Sequence, residues 1–112
     1  MRAYEMMIIF NGDLDDSTVQ LFLNRVTESI QAEGGDVVTV DKWGKRKFAY
    51  EIDHKQEGIY VVLEWVVEAM DNAALERMLR LADEVVRHKL LKLPDAEAER
   101  RGLFGSPATP AP

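Results

Sequence analysis

The chain runs strand, helix, strand twice within its first 93 residues, and few folds accommodate that order. Residues 2–10 form an apolar, strand-like run closed by Asn11-Gly12. Asp15, Asp16 and Ser17 supply a helix start. Val19, Phe22, Leu23, Val26 and Ile30 then recur at three- and four-residue spacing, which is one helix face. Gly34-Gly35 ends that helix. Residues 37–42 and 48–52 read as one long strand, bent or bulged at Trp43-Gly44. Residues 54–58 read as a turn and 59–68 as the strongest strand. Asp71 caps a second helix carrying Leu75, Met78, Leu79 and Ala82, and residues 85–93 are the last strand. The order β-α-β-β-α-β predicts an α+β, ferredoxin-like split β-α-β fold: a four-stranded antiparallel sheet with two helices on one face.

Alternation along the strands assigns the two faces. Burying Glu64 and Glu68 unpaired beneath helices is costly, so Ile59, Val61, Leu63, Trp65 and Val67 are the residues expected to meet the helices. By the same logic Tyr4, Met6, Ile8 and Phe10 point inward, and Ala3, Glu5, Met7 and Ile9 point out. The uncovered face then carries Met7, Ile9, Tyr60, Val62, Glu64 and Val66. So broad an apolar surface on a small domain predicts contact with a partner protein or a second copy. Two plainer readings compete: singly exposed apolar residues are ordinary, and the tail can fold over the sheet.

With 112 residues, 46% of them hydrophobic, the chain suffices for one domain with its own core. Composition breaks at Leu93-Pro94. Residues 1–93 read as the domain and 94–112 as an extended tail, too poor in apolar residues to offset its ordering entropy, with 95–100 able to form a short helix. No run approaches the roughly 18 apolar residues of a membrane span, and the start shows no charged-then-apolar leader.

No residues converge on a catalytic constellation. The absence of cysteine excludes thiolate metal sites and thiol nucleophiles. His54 and His88 stand far apart, short of the three or four ligands a metal requires. Asp13, Asp15 and Asp16 lack the glycine and glutamate of a calcium loop and are better explained as helix-start carboxylates. Ser17 and Ser29 have no neighbouring histidine, and there is no glycine-rich phosphate loop. No cofactor, metal or small-molecule substrate is expected.

Charge is more informative than its total. The net charge of −6 argues against a free-standing nucleic-acid binder. Lys42, Lys45, Arg46 and Lys47 nevertheless surround Trp43 without an intervening acid. Arg87, Lys89 and Lys92 mark the last strand, Arg77 and Arg80 the helix before it, and Arg2 the start of the first strand. Potential near a surface follows local charge, because salt screens charges farther away than roughly 8 Å. Cations beside a tryptophan suit phosphate contacts and stacking; charges that keep an edge strand solitary are the plainer reading. The segment Gly58-Ile59-Tyr60-Val61-Val62 lacks the aromatic alternation of an RNA-recognition-motif strand.

The run Gly44-Lys45-Arg46-Lys47-Phe48-Ala49-Tyr50-Glu51-Ile52 resembles the signature of the bacterial small-subunit ribosomal protein six family. Phe48 stands where that family usually has leucine, a change expected on the inward face. Arg2-x-Tyr4-Glu5, Gly34, Gly58-x-Tyr60 and Val85-x-Arg87 match in step, so the resemblance spans residues 2–92. It implies a non-enzymatic protein of the small ribosomal subunit in the cytoplasm. It also implies binding to 16S ribosomal RNA on the platform, in a heterodimer with ribosomal protein eighteen. On that reading Arg2, Lys42, Trp43, Lys45, Arg46, Lys47, Arg80, Arg87, Lys89 and Lys92 are the candidate RNA contacts, and the uncovered apolar face is the partner's. Arg100-Arg101 and Leu103-Phe104 are expected to order only on assembly. Two rivals remain. One is a small regulatory domain dimerising through its sheet. The other is an acylphosphatase-like enzyme, disfavoured by the acid in Asn11-Gly12-Asp13.

Overall fold

The computed structural model describes residues 1–52 and 54–104. It contains β1 (Arg2–Asn11), α1 (Asp16–Ala32), β2 (Asp36–Ile52), β3 (Lys55–Val67), α2 (Ala73–Leu81), β4 (Val85–Leu93) and α3 (Asp95–Arg100). The four strands form one sheet in the order β2-β3-β1-β4, and every neighbouring pair is antiparallel. This is the split β-α-β arrangement the sequence predicts.

Local chemistry sets the element ends. The Asp15 carboxylate accepts a hydrogen bond from the Thr18 backbone N–H at 2.8 Å, satisfying an amide that the first turn of α1 leaves free. Gly34, with φ +85°, takes the left-handed position just past α1. The Asp71 carboxylate accepts from the Ala73 N–H at 3.0 Å and starts α2.

The inward faces are the expected ones. Tyr4, Met6, Ile8 and Phe10 of β1 and Val61, Leu63, Trp65 and Val67 of β3 are buried against Val19, Phe22, Leu23, Val26 and Ile30 of α1 and Leu75 and Leu79 of α2. Tyr4 stacks on Trp65 with ring centroids 5.6 Å apart, and Phe10 meets Phe22 edge-on at 5.5 Å. Each of these large side chains contributes about 1.5–3 kcal/mol by leaving water.

Three expectations are corrected. β3 begins at Lys55, so what reads as a turn over 54–58 is mostly strand, and His54 carries the reversal with φ 63°. Lys55 pairs with Ile52 and Glu57 with Lys47; backbone pairing in a hairpin tolerates the polar side chains that hide the strand from a sequence reading. Phe48 lies on the uncovered face, not the inward one: its ring meets Tyr60 edge-on at 6.2 Å, because the register between β2 and β3 shifts after Lys42. The segment from Pro94 does not stay extended. α3 folds back onto the uncovered face, where Ala98 and Leu103 are buried against Ala3, Val66 and Leu93. These apolar contacts, with the ion pairs described below, offset the ordering entropy that composition alone seemed to leave unmet. Residues 105–112 of the expected tail lie outside the described residues.

Candidate nucleic-acid and partner interface

The face of the sheet opposite α1 and α2 is organised as rows that cross the strands, each built from side chains of one parity. The first row runs Gly44, Tyr60, Ile9, Arg87, and the second Asp41, Val62, Met7, Lys89. The third runs Thr39, Glu64, Glu5, Leu91, and the fourth Asp36, Val66, Ala3, Leu93. α3 covers the fourth row and Arg101 the third. Rows one and two remain uncovered.

The first row gathers an aromatic cluster at the root of the β2–β3 hairpin. Between Lys42 and Gly44 the register slips by one residue, and Gly44 takes φ +87°. Such a bulge re-aims a side chain. Here it lays Trp43 parallel to Tyr60, 6.3 Å between centroids. The Arg46 guanidinium stands 5.4 Å from the centre of the Trp43 ring, a cation–π contact. The indole N–H donates to Asp41 at 2.9 Å. Gly58 permits this crowding: a Cβ there would meet Ile9 Cγ2 at 2.6 Å and Phe48 Cζ at 2.9 Å. At the other edge, Met7, Ile9, Arg87, His88 and Lys89 line a shallow hollow of about 260 Å³.

The ten basic and aromatic candidates do not form one patch. Arg87 and Lys89 join Met7, Ile9, Tyr60 and Val62 on rows one and two, and Trp43 and Arg46 flank the first row at the bulge. Lys42, Lys45 and Lys47 pair with Val61, Ile59 and Glu57 and share the helix-side parity of β3. Lys42 donates to Gln20 of α1, and Lys45 lies 3.9 Å from Glu57. Lys92 pairs with Tyr4 and Arg2 with Val67, again on the helix-side parity, and Arg80 is exposed on α2. Of the residues expected at a partner interface, Val66 is buried beneath α3, Ile9 is buried between its strand neighbours at 8% exposure, and Glu64 is held by Arg101. The surface left for an outside molecule is narrower than the sequence suggests, and it mixes cations with apolar groups.

Arg101 and Leu103, expected from sequence to order only on assembly, are already ordered on the sheet in this chain. The Arg101 Nη1 donates to Glu5 and to Glu64, both at 2.7 Å, and its Nε donates to Glu97 at 2.6 Å. These three carboxylates hold the Arg101 pKa above its ordinary value, with Glu5 the largest cause. Hydrogen bonds from Arg100 and then Arg101 hold the Glu97 carboxyl below its ordinary value. Among the described residues no cluster of His, Asp or Glu is arranged to hold a metal ion, and no helix is long and apolar enough to cross a membrane.

Comparison with known proteins agrees with this architecture. Residues 3–92 match the family model described as ribosomal protein S6. The small ribosomal subunit protein bS6 of Carboxydothermus hydrogenoformans is 41% identical over 92 residues, covering 82% of this chain and 96% of the relative. The bS6 of Corynebacterium glutamicum is 45% identical over 93 residues, covering 83% and 98%. The crystal structure of 30S ribosomal protein S6 from Thermotoga maritima superposes with a TM-score of 0.80 at 30% identity, covering 89% of this chain and 94% of that one. These relatives are structural proteins of the ribosome, not enzymes. A family model spanning four-fifths of the sequence, relatives above 40% identity and a shared fold all agree: the chain belongs to the ribosomal protein S6 family of the small ribosomal subunit.

Proposed function

We propose that this chain binds 16S ribosomal RNA on the platform of the small subunit, jointly with ribosomal protein eighteen. The observation that carries this reading is the first row. There the exposed Trp43, with the half-buried Tyr60 and Phe48 beside it, shares one surface with the exposed cations Arg46 and Arg87. The apolar groups, with Met7 and Val62 beside them, suit a protein partner. Arg46, Arg87 and Lys89 at the flanks suit phosphates, which position a nucleic acid without reading much sequence. Arg2, Lys92 and Arg80, on the helix-side parity, are secondary candidates for RNA running past the sheet end.

The net charge of −6 shapes the mechanism. Alone, the chain repels a polyanion at long range and presents only local cations. A basic partner docked on rows one and two supplies the missing charge, so partner binding precedes tight RNA binding. Junction geometry is then held by two proteins whose cations face the same RNA.

Mobility-shift measurements with a platform RNA fragment test this. The isolated chain should bind weakly and with steep salt dependence, and tightly only when the partner is added. Tight, salt-insensitive binding by the isolated chain refutes it. Co-sedimentation with small subunits in high salt separates this reading from a regulatory domain that dimerises through its sheet, which would stay in the supernatant.

A further inference from the structure

α3 acts as a strap across half of the uncovered face, and it lies outside the stretch that matches the family model. It leaves β4 at Pro94, whose φ of −58° and ψ of 147° turn the chain back over the sheet. Its end is closed by Gly102, with φ +73°: the Leu103 N–H donates to the Ala98 carbonyl and the Gly102 N–H to the Glu99 carbonyl, both at 2.9 Å. This is a helix stop that needs no neighbour. Little else anchors the strap. A six-residue helix has almost no stability of its own. Its apolar hold is Ala98 and Leu103, with Phe104 partly buried beside them. Among the described residues, its polar hold on the sheet is the single guanidinium of Arg101.

The group that Arg101 grips explains why a cation belongs there. Glu5 and Glu64 are directly opposed on neighbouring strands, and their side chains are only 25% and 16% exposed. Like charges so placed destabilise a sheet. Thr39 Oγ1 donates to one Glu64 oxygen at 2.7 Å, and Arg101 takes the other. The pair is an acceptor for a guanidinium, and a guanidinium occupies it. The second row, one step along the strands, is uncovered.

We propose that the Glu5–Glu64 pair is an arginine-binding site which the strap fills in the isolated chain. A basic segment of the partner protein, laid along the uncovered face, takes the site and lifts the strap. The proposal rests on that face being the partner's surface. Charge complementarity selects the occupant: lifting Arg101 exposes two opposed carboxylates beside an apolar strip of Ala3, Val66 and Leu93. The strap therefore competes with the partner and lowers its apparent affinity by the fraction of chains that are closed.

Reconstitution of small subunits lacking this protein, with the full chain added back, tests the competition. Arg101→Ala and Arg101→Glu should incorporate roughly threefold or more tighter than the unaltered chain, by releasing the closed fraction. Glu64→Gln loosens the strap but spoils the site, so it should show no such gain. Hydrogen exchange at the Ala98, Gly102 and Leu103 amides should speed up on assembly. The proposal is overturned by unchanged or weaker incorporation of both Arg101 variants, by an equal gain from Glu64→Gln, or by amides as protected in the subunit as in the free chain. Near-UV circular dichroism from the buried Trp65 confirms that each variant keeps its core. If neither the unaltered chain nor any variant enters the particle, the ribosomal reading itself fails and this inference with it.

Discussion

Trp43 and Tyr60 lie with their rings 6° from parallel and 6.3 Å apart, on strands whose register slips between Lys42 and Gly44. The sequence suggests an RNA contact for Trp43 and a protein interface for Tyr60. The bulge at Gly44 makes them one surface, and this merging narrows the search for where the chain is touched. It also gives the two glycines of that region different duties.

Gly44→Ala and Gly58→Ala should both destabilise the protein, for different reasons. At Gly44 nothing lies within 4 Å of an added Cβ, so the cost is left-handed strain alone, about 1–2 kcal/mol. At Gly58 the backbone is unstrained but the Cβ would meet Ile9 Cγ2 at 2.6 Å and the Phe10 carbonyl at 2.9 Å. Overpacking of that kind costs about 1–3 kcal/mol. Urea denaturation measures both. Gly44→Asn discriminates them further, since asparagine tolerates the left-handed region and should recover part of the loss.

The two tryptophans report on separate places. Trp65 is 0% exposed and Trp43 is 42% exposed. Trp43→Phe should leave a blue-shifted emission that acrylamide barely quenches, while Trp65→Phe should leave a red-shifted, readily quenched one. Binding to RNA with the partner should shield only the Trp43 signal. A Trp43 signal as readily quenched in the complex as in the free chain would mean that the interface lies elsewhere.

Much of the fold was legible because parity is a strong constraint. Glu64 and Glu68 forced the odd residues of β3 inward, and Val61, Leu63 and Trp65 are buried there as expected. Residues 85–93 read as a strand from sequence, and β4 spans those residues. What escaped was whatever depends on register or on distant partners. Phe48 changed face because a bulge shifts parity, and a sequence locates a bulge without revealing which side chains it re-aims. The strap was legible only as a competing reading, a short helix over 95–100 and a tail able to fold over the sheet, because Ala98 and Leu103 are only two apolar residues amid charges, and Arg101 finds Glu5 and Glu64 across 96 and 37 positions. The signal that could have found it was the opposed pair itself: placing Glu5 against Glu64 demands a cation, and none lies on the adjoining strands at that row.

The Asp15 cap gives a pH signature with a definite sign. Hydrogen bonds from Thr18 hold its carboxyl below the ordinary 3.8 in the folded protein. A depressed folded pKa adds stability above the unfolded value, and that stability is lost as pH falls through the folded one. Asp15→Asn keeps an acceptor for the Thr18 amide but cannot titrate. The advantage of the unaltered chain over Asp15→Asn should therefore be complete at neutral pH and shrink as the pH falls through the acid range below the ordinary 3.8. Thermal melts across that range check it; a gap that stays constant would show that the charge on Asp15 adds nothing. Asp15→Ala should be less stable than either across the range.

Arg46→Glu and Arg87→Glu probe the two flanks of the first row, and Lys42→Glu is their control. Arg46 stacks on Trp43 and Arg87 pairs with Ile9, so both cations border the uncovered face. Lys42 belongs to the same basic run in sequence but pairs with Val61 and donates to Gln20 on the helix side. All three are exposed, so the fold should survive each change. Each first-row variant should weaken association with RNA and partner by roughly tenfold and reduce the magnitude of the salt slope by about one. Lys42→Glu should change neither by much. Equal losses from all three would mean that the hairpin is gripped from both sides. A loss from Lys42→Glu alone would move the interface to the helix side and away from the row that Trp43 and Tyr60 define.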